Sequence, residues 1–257
     1  MALLKKNAAL FGAGLPAGGQ WLVLGPDEFD DKAERIYAGV LGAGESIPVH
    51  SHPAEVEEAH ILLDRAWVLG GREERLVERP AVAAAFCGCC HGLANRGTAP
   101  ARYFRVAMGP ADAADAVPGD GDRGPALAAL DTSLLDEFWA HDGLGRIRFR
   151  RLWDHDSFSG RWCFVDHCVV PPGASVGYHR HEAVQECYVI IRGEGIMKVD
   201  GAVGKVVPGD CVPNRLGGSH GLVNGGSAPV EFINLALSLR KGEWDATNLG
   251  DDLSDLI

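Results

Sequence analysis

Residues 173–193 read GASVGYHRHEAVQECYVIIRG: His179 and His181 stand one residue apart, Glu186 follows, and a glycine closes each end. Residues 44–64, GESIPVHSHPAEVEEAHILLD, lie 129 positions earlier and repeat Gly44, His50, His52 and Glu57 at the same intervals. The shift persists downstream, where Gly217, His220 and Asn224 have counterparts in Gly88, His91 and Asn95. Asp64 stands where the pattern has Gly193; Asp enters the left-handed backbone region more readily than most residues, so the turn is expected to survive there. One constant offset across so many unlike residue types marks an internal duplication, and that decides the architecture before any single element is considered.

The pattern has a chemical reason. Alternate residues of a strand share a face, so His179 and His181 point together, as do His50 and His52. Imidazoles with a carboxylate suit a divalent ion of the Fe(II), Mn(II), Ni(II) or Zn(II) group. A third histidine from a later strand completes each set. The expected ligands are His179, His181, Glu186 and His220 in one half, and His50, His52, Glu57 and His91 in the other. Four donors leave an octahedral ion with open positions for a chelating substrate, or for substrate beside water or dioxygen.

The spacing G-x5-H-x-H-x4-E-x6-G, followed by G-x2-H-x3-N, resembles the two conserved motifs of the cupin superfamily. The second half matches closely; the first lacks the motif glycine at Asp64 and has Ala84 where a proline would align. The resemblance covers both halves and implies a bicupin. That is an all-β chain of two tandem antiparallel β-barrels of the double-stranded β-helix, or jelly-roll, type, with few short helices and one metal per domain. It implies Fe(II) or Mn(II) ahead of Ni(II) or Zn(II). It points to dioxygenase or oxidoreductase chemistry first, then metal-assisted isomerisation, decarboxylation or hydrolysis, and a non-catalytic binder as the other class. Oxalate-decarboxylase-like bicupins are longer and usually carry an aromatic between the paired histidines, where Ser51 and Arg180 stand here. Fold likeness alone does not choose among these reactions.

A chain of 257 residues suits two small domains. The expected division is a barrel over 1–109, a small, acidic, Gly- and Pro-rich linker over 110–127, and a barrel over 128–257. Strands are expected at Trp21–Leu24, Glu34–Leu41, Ala81–Phe86, Ala101–Met108, Arg161–Val170 and Val230–Leu239, and a short helix over Thr132–His141 capped by Thr132 or Ser133. The acidic tail after Lys241 is expected to pack over a barrel face or a dimer contact. The net charge of −11 disfavours nucleic acid and anionic membranes as partners. Seven scattered cysteines read as reduced thiols of a cytoplasmic protein, and no signal peptide or membrane span is expected. The expected partners are a small polar or anionic substrate, dioxygen, and a second copy in a homodimer.

Three further positions are candidates for chemistry. Tyr188 shares the face of Glu186 and could shuttle a proton, while Glu186 and Glu57 could leave a metal to act as base. By the same alternation Ala59 and Ile61 are expected to line the first site. Arg105 and Asn234 correspond through the same offset and are candidates to hold a substrate carboxylate. His60, His141, His155 and His167 match no repeated position and read as ordinary polar residues.

Overall fold

In the computed structural model, residues 3–12, 15, 18–30, 34–52, 56–108, 117–118 and 123–257 are described. The chain forms two compact units. One holds residues 8–131 with 157–160; the other holds 1–7, 132–156 and 161–257. The expected boundaries at 109 and 128 therefore differ from the observed division, and the chain's first residues go with the second barrel: Lys6–Asn7 pairs with Asp210–Asn214. Most of the expected 110–127 linker lies outside the described residues. Its described parts are strands of the first unit: Val117–Pro118 pairs with Ser46–Ser51, and Ala126–Ala129 pairs with Ala81–Ala85.

Among the described residues, each unit consists of two antiparallel sheets. In the first, a six-stranded sheet runs in the order Ala126–Ala129, Ala81–Ala85, Glu57–Leu62, Ala101–Met108, Glu34–Leu41 and Gly19–Leu24. Its five-stranded companion holds Ser46–Ser51 and His91–Ala94 side by side. In the second, a seven-stranded sheet centres on Val184–Arg192, Val230–Ser238 and Trp162–Val170, and a five-stranded sheet places Ser175–Arg180 between Ser219–Val223 and Thr247–Asp251. Inward side chains of both sheets pack into an apolar core in each unit. In the second unit Tyr188, Ile190, Val212 and Phe232 of one sheet pack with Val176, Met197, Val199 and Leu222 of the other. Strands such as Val230–Ser238 are buried along their whole length, which their near-continuous apolar sequence permits.

The repeat extends to hydrogen bonds. Asn95 donates to the carbonyls of Leu41 and Ala99 while its Oδ1 accepts from Gly97 N. Asn224 does the same with Val170, Ala228 and Gly226. Both asparagines thus fasten the loop that follows the third histidine's strand, satisfying carbonyls that burial would otherwise leave unpaired.

Two expectations are corrected. Residues 132–141 do not form a helix: a 3-10 turn at Thr132–Leu134 leads into an edge strand, Asp136–Phe138, paired with Ile147–Phe149. A ten-residue helix is marginal without an apolar face to bury, and here Leu134, Phe138 and Trp139 remain exposed. Asp64 is not left-handed; it does not appear among the residues with positive φ. It works through its carboxylate, which accepts from the Arg102 backbone N–H at 2.9 Å and from the Arg102 guanidinium at 2.7 and 2.8 Å. Gly193 does need its conformation: φ is +74°, and a Cβ there would lie 2.1 Å from the Pro229 carbonyl oxygen.

The repeat thus secures the same turn by two different means. Gly193→Ala is expected to destabilise the second barrel by about 2–3 kcal/mol, from left-handed strain and the backbone clash. Asp64→Ala should cost the first barrel about 1 kcal/mol, the worth of a partly exposed charge-assisted bond. Urea unfolding of each variant against wild type measures both, and equal losses would contradict the distinction.

Candidate metal centres

The second cluster is built at one end of its barrel. His179 lies near the end of Ser175–Arg180, His181 follows that strand, Glu186 lies on Val184–Arg192, and His220 on Ser219–Val223 directly across from His179. Their ligand atoms all lie within 4.8 Å of one another, and all four residues are buried. Glu186 Oε1 stands 3.5 Å from His181 Nε2, and Oε2 stands 3.3 Å from His220 Nε2. The outer nitrogens are tied back. His179 Nδ1 donates to the Gly177 carbonyl at 2.8 Å, and His181 Nδ1 to the Asp245 carbonyl. A carbonyl can only accept, so these bonds place the proton on Nδ1 and turn the Nε2 lone pair into the cluster. Burial pushes the His179 imidazolium down to about 2. For Glu186, burial acts to raise the pKa, but His181, His220 and His179 outweigh it and hold the carboxyl well below its usual range.

The first cluster repeats this with one change. His50, His52, Glu58 and His91 bring their ligand atoms within the same 4.8 Å. His50 Nδ1 donates to the Pro48 carbonyl at 2.8 Å, the counterpart of the His179–Gly177 bond. Glu58 Oε1 lies 3.1 Å from His52 Nε2, and Oε2 lies 3.1 Å from His91 Nε2. These two clusters are the groups of this kind among the described residues.

Glu57, expected as the ligand, is not in the cluster. Its carboxylate is buried elsewhere, accepting from the backbone N–H groups of Ser159 at 2.7 Å, Gly160 at 2.8 Å and Cys87 at 3.3 Å. The cause is register. Glu58 pairs with Ala85 and Ala107, and Glu186 pairs with Asn214 and Ala236. The neighbours are each related by 129 (85 to 214, 107 to 236), but the glutamates by 128 (58 to 186). The second barrel carries an irregularity between Ile190 and Arg192 that absorbs one residue, which restores 129 beyond it. A one-residue slip turns every side chain of a strand to the other face. His60, not Ala59 or Ile61, therefore occupies the place of Tyr188. It sits 3.7 Å from Glu58 and lines the first cavity, and burial pushes its pKa down to about 3. Strand register, which a fixed sequence offset does not show, separates the two glutamates.

The remaining candidates fall beside the clusters. Arg105 and Asn234 each reach the glutamate of their own site: Arg105 Nε donates to Glu58 Oε1 at 2.7 Å, and Asn234 Nδ2 to Glu186 Oε2 at 2.9 Å. Tyr188 is fully buried, stacks on Phe232 with ring centroids 4.4 Å apart, and lines the second cavity. His141 stacks on His179 at 3.6 Å with planes 6° apart, held by Asn248. Its left-handed φ of 51° belongs to a place where backbone strain is maintained by its surroundings. Sequence spacing gave no sign of it, since no histidine stands 129 positions earlier.

The two sites open into different spaces. The first cavity, about 570 Å³, is lined by His50, His52, His60, Tyr103, Arg105 and Gln20 among others. The second, about 140 Å³, is lined by His179, Glu186, Tyr188, Asn234, Asp166 and Arg151 among others. Asp166 is buried and forked by Arg151 at 2.9 and 3.0 Å. Burial raises its carboxyl against the pull of Arg151, to about 6.

Both donor sets suit a divalent metal. His52 Nε2, His181 Nε2 and His220 Nε2 are buried and make no well-aligned hydrogen bond. Buried nitrogens converging on a carboxylate without partners are what a transition ion satisfies.

A family model described as a cupin domain matches residues 166–236. An oxalate-binding protein of Thermotoga maritima is 30% identical over 97 residues, 38% of this chain and 80% of that protein. Among solved structures, the oxalate decarboxylase of Lactobacillus farciminis in complex with formate has a TM-score of 0.67 at 12% identity, over 97% of this chain and 89% of that one. A structure of oxalate decarboxylase from Bacillus subtilis whose Mn(II) centres were studied has a TM-score of 0.64 at 16% identity, over 97% and 80%. At these identities the solved structures establish a shared two-barrel fold. No helix among the described residues is long and apolar enough to cross a membrane.

Metal content separates the two glutamates. At saturating Mn(II), Glu58→Gln is expected to lose about one bound ion per chain, as removal of one of four ligands should. Glu57→Gln should keep its metal and lose about 1–3 kcal/mol of stability through its orphaned backbone donors. Elemental analysis with thermal melts checks both, and wild-type metal in Glu58→Gln would remove that residue from the site.

Proposed function

The chain belongs to the cupin family, as a bicupin, and on that footing we propose that it is a divalent-metal decarboxylase of small dicarboxylates of the oxalate class, acting at the second cluster. The observation that carries this reading is the Arg151–Asp166 pair in the wall of the cavity that also exposes His179 and Glu186. At about 140 Å³ the cavity has room for a handful of water-sized volumes, each about 30 Å³. That matches a substrate of few heavy atoms. The names of the relatives, an oxalate-binding protein and oxalate decarboxylases, support the same class.

The residues divide the work as follows. His179, His181, Glu186 and His220 would hold the ion, with Mn(II) first among Mn(II), Fe(II), Ni(II) and Zn(II). A bound ion of this kind acts as a Lewis acid on substrate oxygens. Arg151 engages Asp166 through Nε and Nη2, which leaves Nη1 to reach a substrate carboxylate, and Asp166 is the proton source. Its carboxyl, raised by burial, holds a proton at mildly acidic pH. When the carbon–carbon bond breaks and carbon dioxide leaves, the electron pair stays on the remaining carbon, which takes the Asp166 proton. Glu186 stays a ligand, tied by Asn234. Tyr188, whose hydroxyl is held protonated by burial, shapes the wall.

The test is turnover of oxalate by the Mn(II)-loaded protein. Formate and carbon dioxide are expected in equal amounts without net oxygen uptake. The rate should fall as pH rises through about 6, because the proton source must be protonated to act. Asp166→Asn should cut kcat by about a hundredfold or more, the scale of a lost general acid, with metal content unchanged. Stoichiometric oxygen consumption would favour a dioxygenase instead, and full activity in Asp166→Asn would eliminate the assigned proton source.

A further inference from the structure

The two clusters repeat their ligands but not their charge. Arg105 and Asn234 stand 129 positions apart, on corresponding strands, and each donates to the glutamate of its own cluster. As ligands the imidazoles are neutral, so the second cluster offers a metal the undiminished charge of Glu186. In the first, the guanidinium of Arg105 sits on Glu58 Oε1 through both Nε and Nη2. Arg105 cannot shed its proton, so this charge is permanent. The groups facing Glu58 are His52, His91, His60 and Arg105; none is a second anion that would offset the guanidinium. Arg105 is also packed over the Tyr37 ring, with its guanidinium carbon 5.1 Å from the centroid.

We propose that Arg105 makes the first cluster the weaker of the two divalent-metal sites, and that its affinity for the ion rises when a carboxylate anion enters its cavity beside Arg105. A cation a few ångströms from a dication repels it, and the repulsion is large where water is scarce. A small carboxylate relieves it by pairing with both charges, and the wide first cavity, which Arg105 and His60 line, has room for one. Asn234 carries no charge, and the guanidinium in the second cavity, Arg151, pairs with Asp166 and not with Glu186, so the second site meets less repulsion. The inference concerns metal affinity alone and does not depend on decarboxylation.

The test is Mn(II) titration of the metal-stripped full-length protein, with free ion followed by electron paramagnetic resonance. Wild type is expected to show two classes of site at least about tenfold apart, the weak class vanishing in His50→Ala and the strong class in His179→Ala. Arg105→Asn, which copies the second site, should tighten the weak class to within about threefold of the strong one, while Arg105→Lys should keep the gap. Millimolar acetate should tighten the weak class of wild type by a larger factor than the strong class and so narrow the gap between them. Two equal classes in wild type would overturn the proposal. So would an unchanged gap in a folded Arg105→Asn, or an acetate effect absent from the weak class. The acetate measurement needs no variant, so it decides the matter even if Arg105→Asn does not fold.

Discussion

A buried carboxylate placed among three imidazole nitrogens is the constraint around which each barrel is organised. Taking Glu186 out of water is costly; Asn234 donates to one of its oxygens, and His181, whose Nε2 lone pair faces it, can share a cation with it. The imidazoles must then point inward, and the backbone makes them do so through Nδ1 bonds to the carbonyls of Gly177 and Asp245. The second of these bonds requires the C-terminal segment to lie beside the histidine strand Ser175–Arg180. The site's electrostatics and the sheet order therefore depend on each other, and a metal completes an arrangement already set by hydrogen bonds.

The duplication was legible because ligand chemistry is expensive to vary. Seven positions kept their types at one offset, and with them came the all-β class, the paired clusters and the limits of some strands, Glu34–Leu41 and Ala101–Met108 among them. Glu57 was misplaced because two adjacent glutamates satisfy the same spacing within one residue. The choice between them lies in a strand irregularity near Ile191, which sequence periodicity does not announce. The same slip hid His60, which alternation from the wrong glutamate sends to the outside. The expected helix at 132–141 failed for another reason. Its cap and acidic first turn are local signals, while the pairing of Asp136–Phe138 with Ile147–Phe149 is a tertiary one, and tertiary context overrides weak local preference.

The two sites also show what a duplication leaves free to change. Ligands are held by the ion they share, but the residue one step outward is not. At that step one barrel has Arg105 and His60, and the other has Asn234 and Tyr188. The first cavity is about four times the volume of the second, 570 against 140 Å³. The second gains Asp166 with Arg151, where positions 37 and 22 of the first hold Tyr37 and Leu22. A proton-holding carboxyl beside one cluster and a fixed cation on the other are different chemical equipment, so equivalence of the ligands is no argument for equivalence of the work done.

The segments read from sequence as linker and tail turn out to belong to the sites. Thr247–Asp251 pairs with Ser175–Arg180 and sets Asn248 across from His179, where it also bonds His141. Asp245 accepts from His181 through its carbonyl and from the Glu182 and Ala183 N–H groups through its carboxylate. In the first barrel Val117–Pro118 takes the corresponding place, with Pro118 across from His50. Gly, Pro and acidic residues read as connection because they lack an apolar period. An edge strand that closes a polar site has no apolar face to display, so it leaves no such period either. The chain that follows each barrel pairs along one side of that barrel's histidine strand, so the histidines are held on that side by backbone whose sequence carries no strand signal of its own.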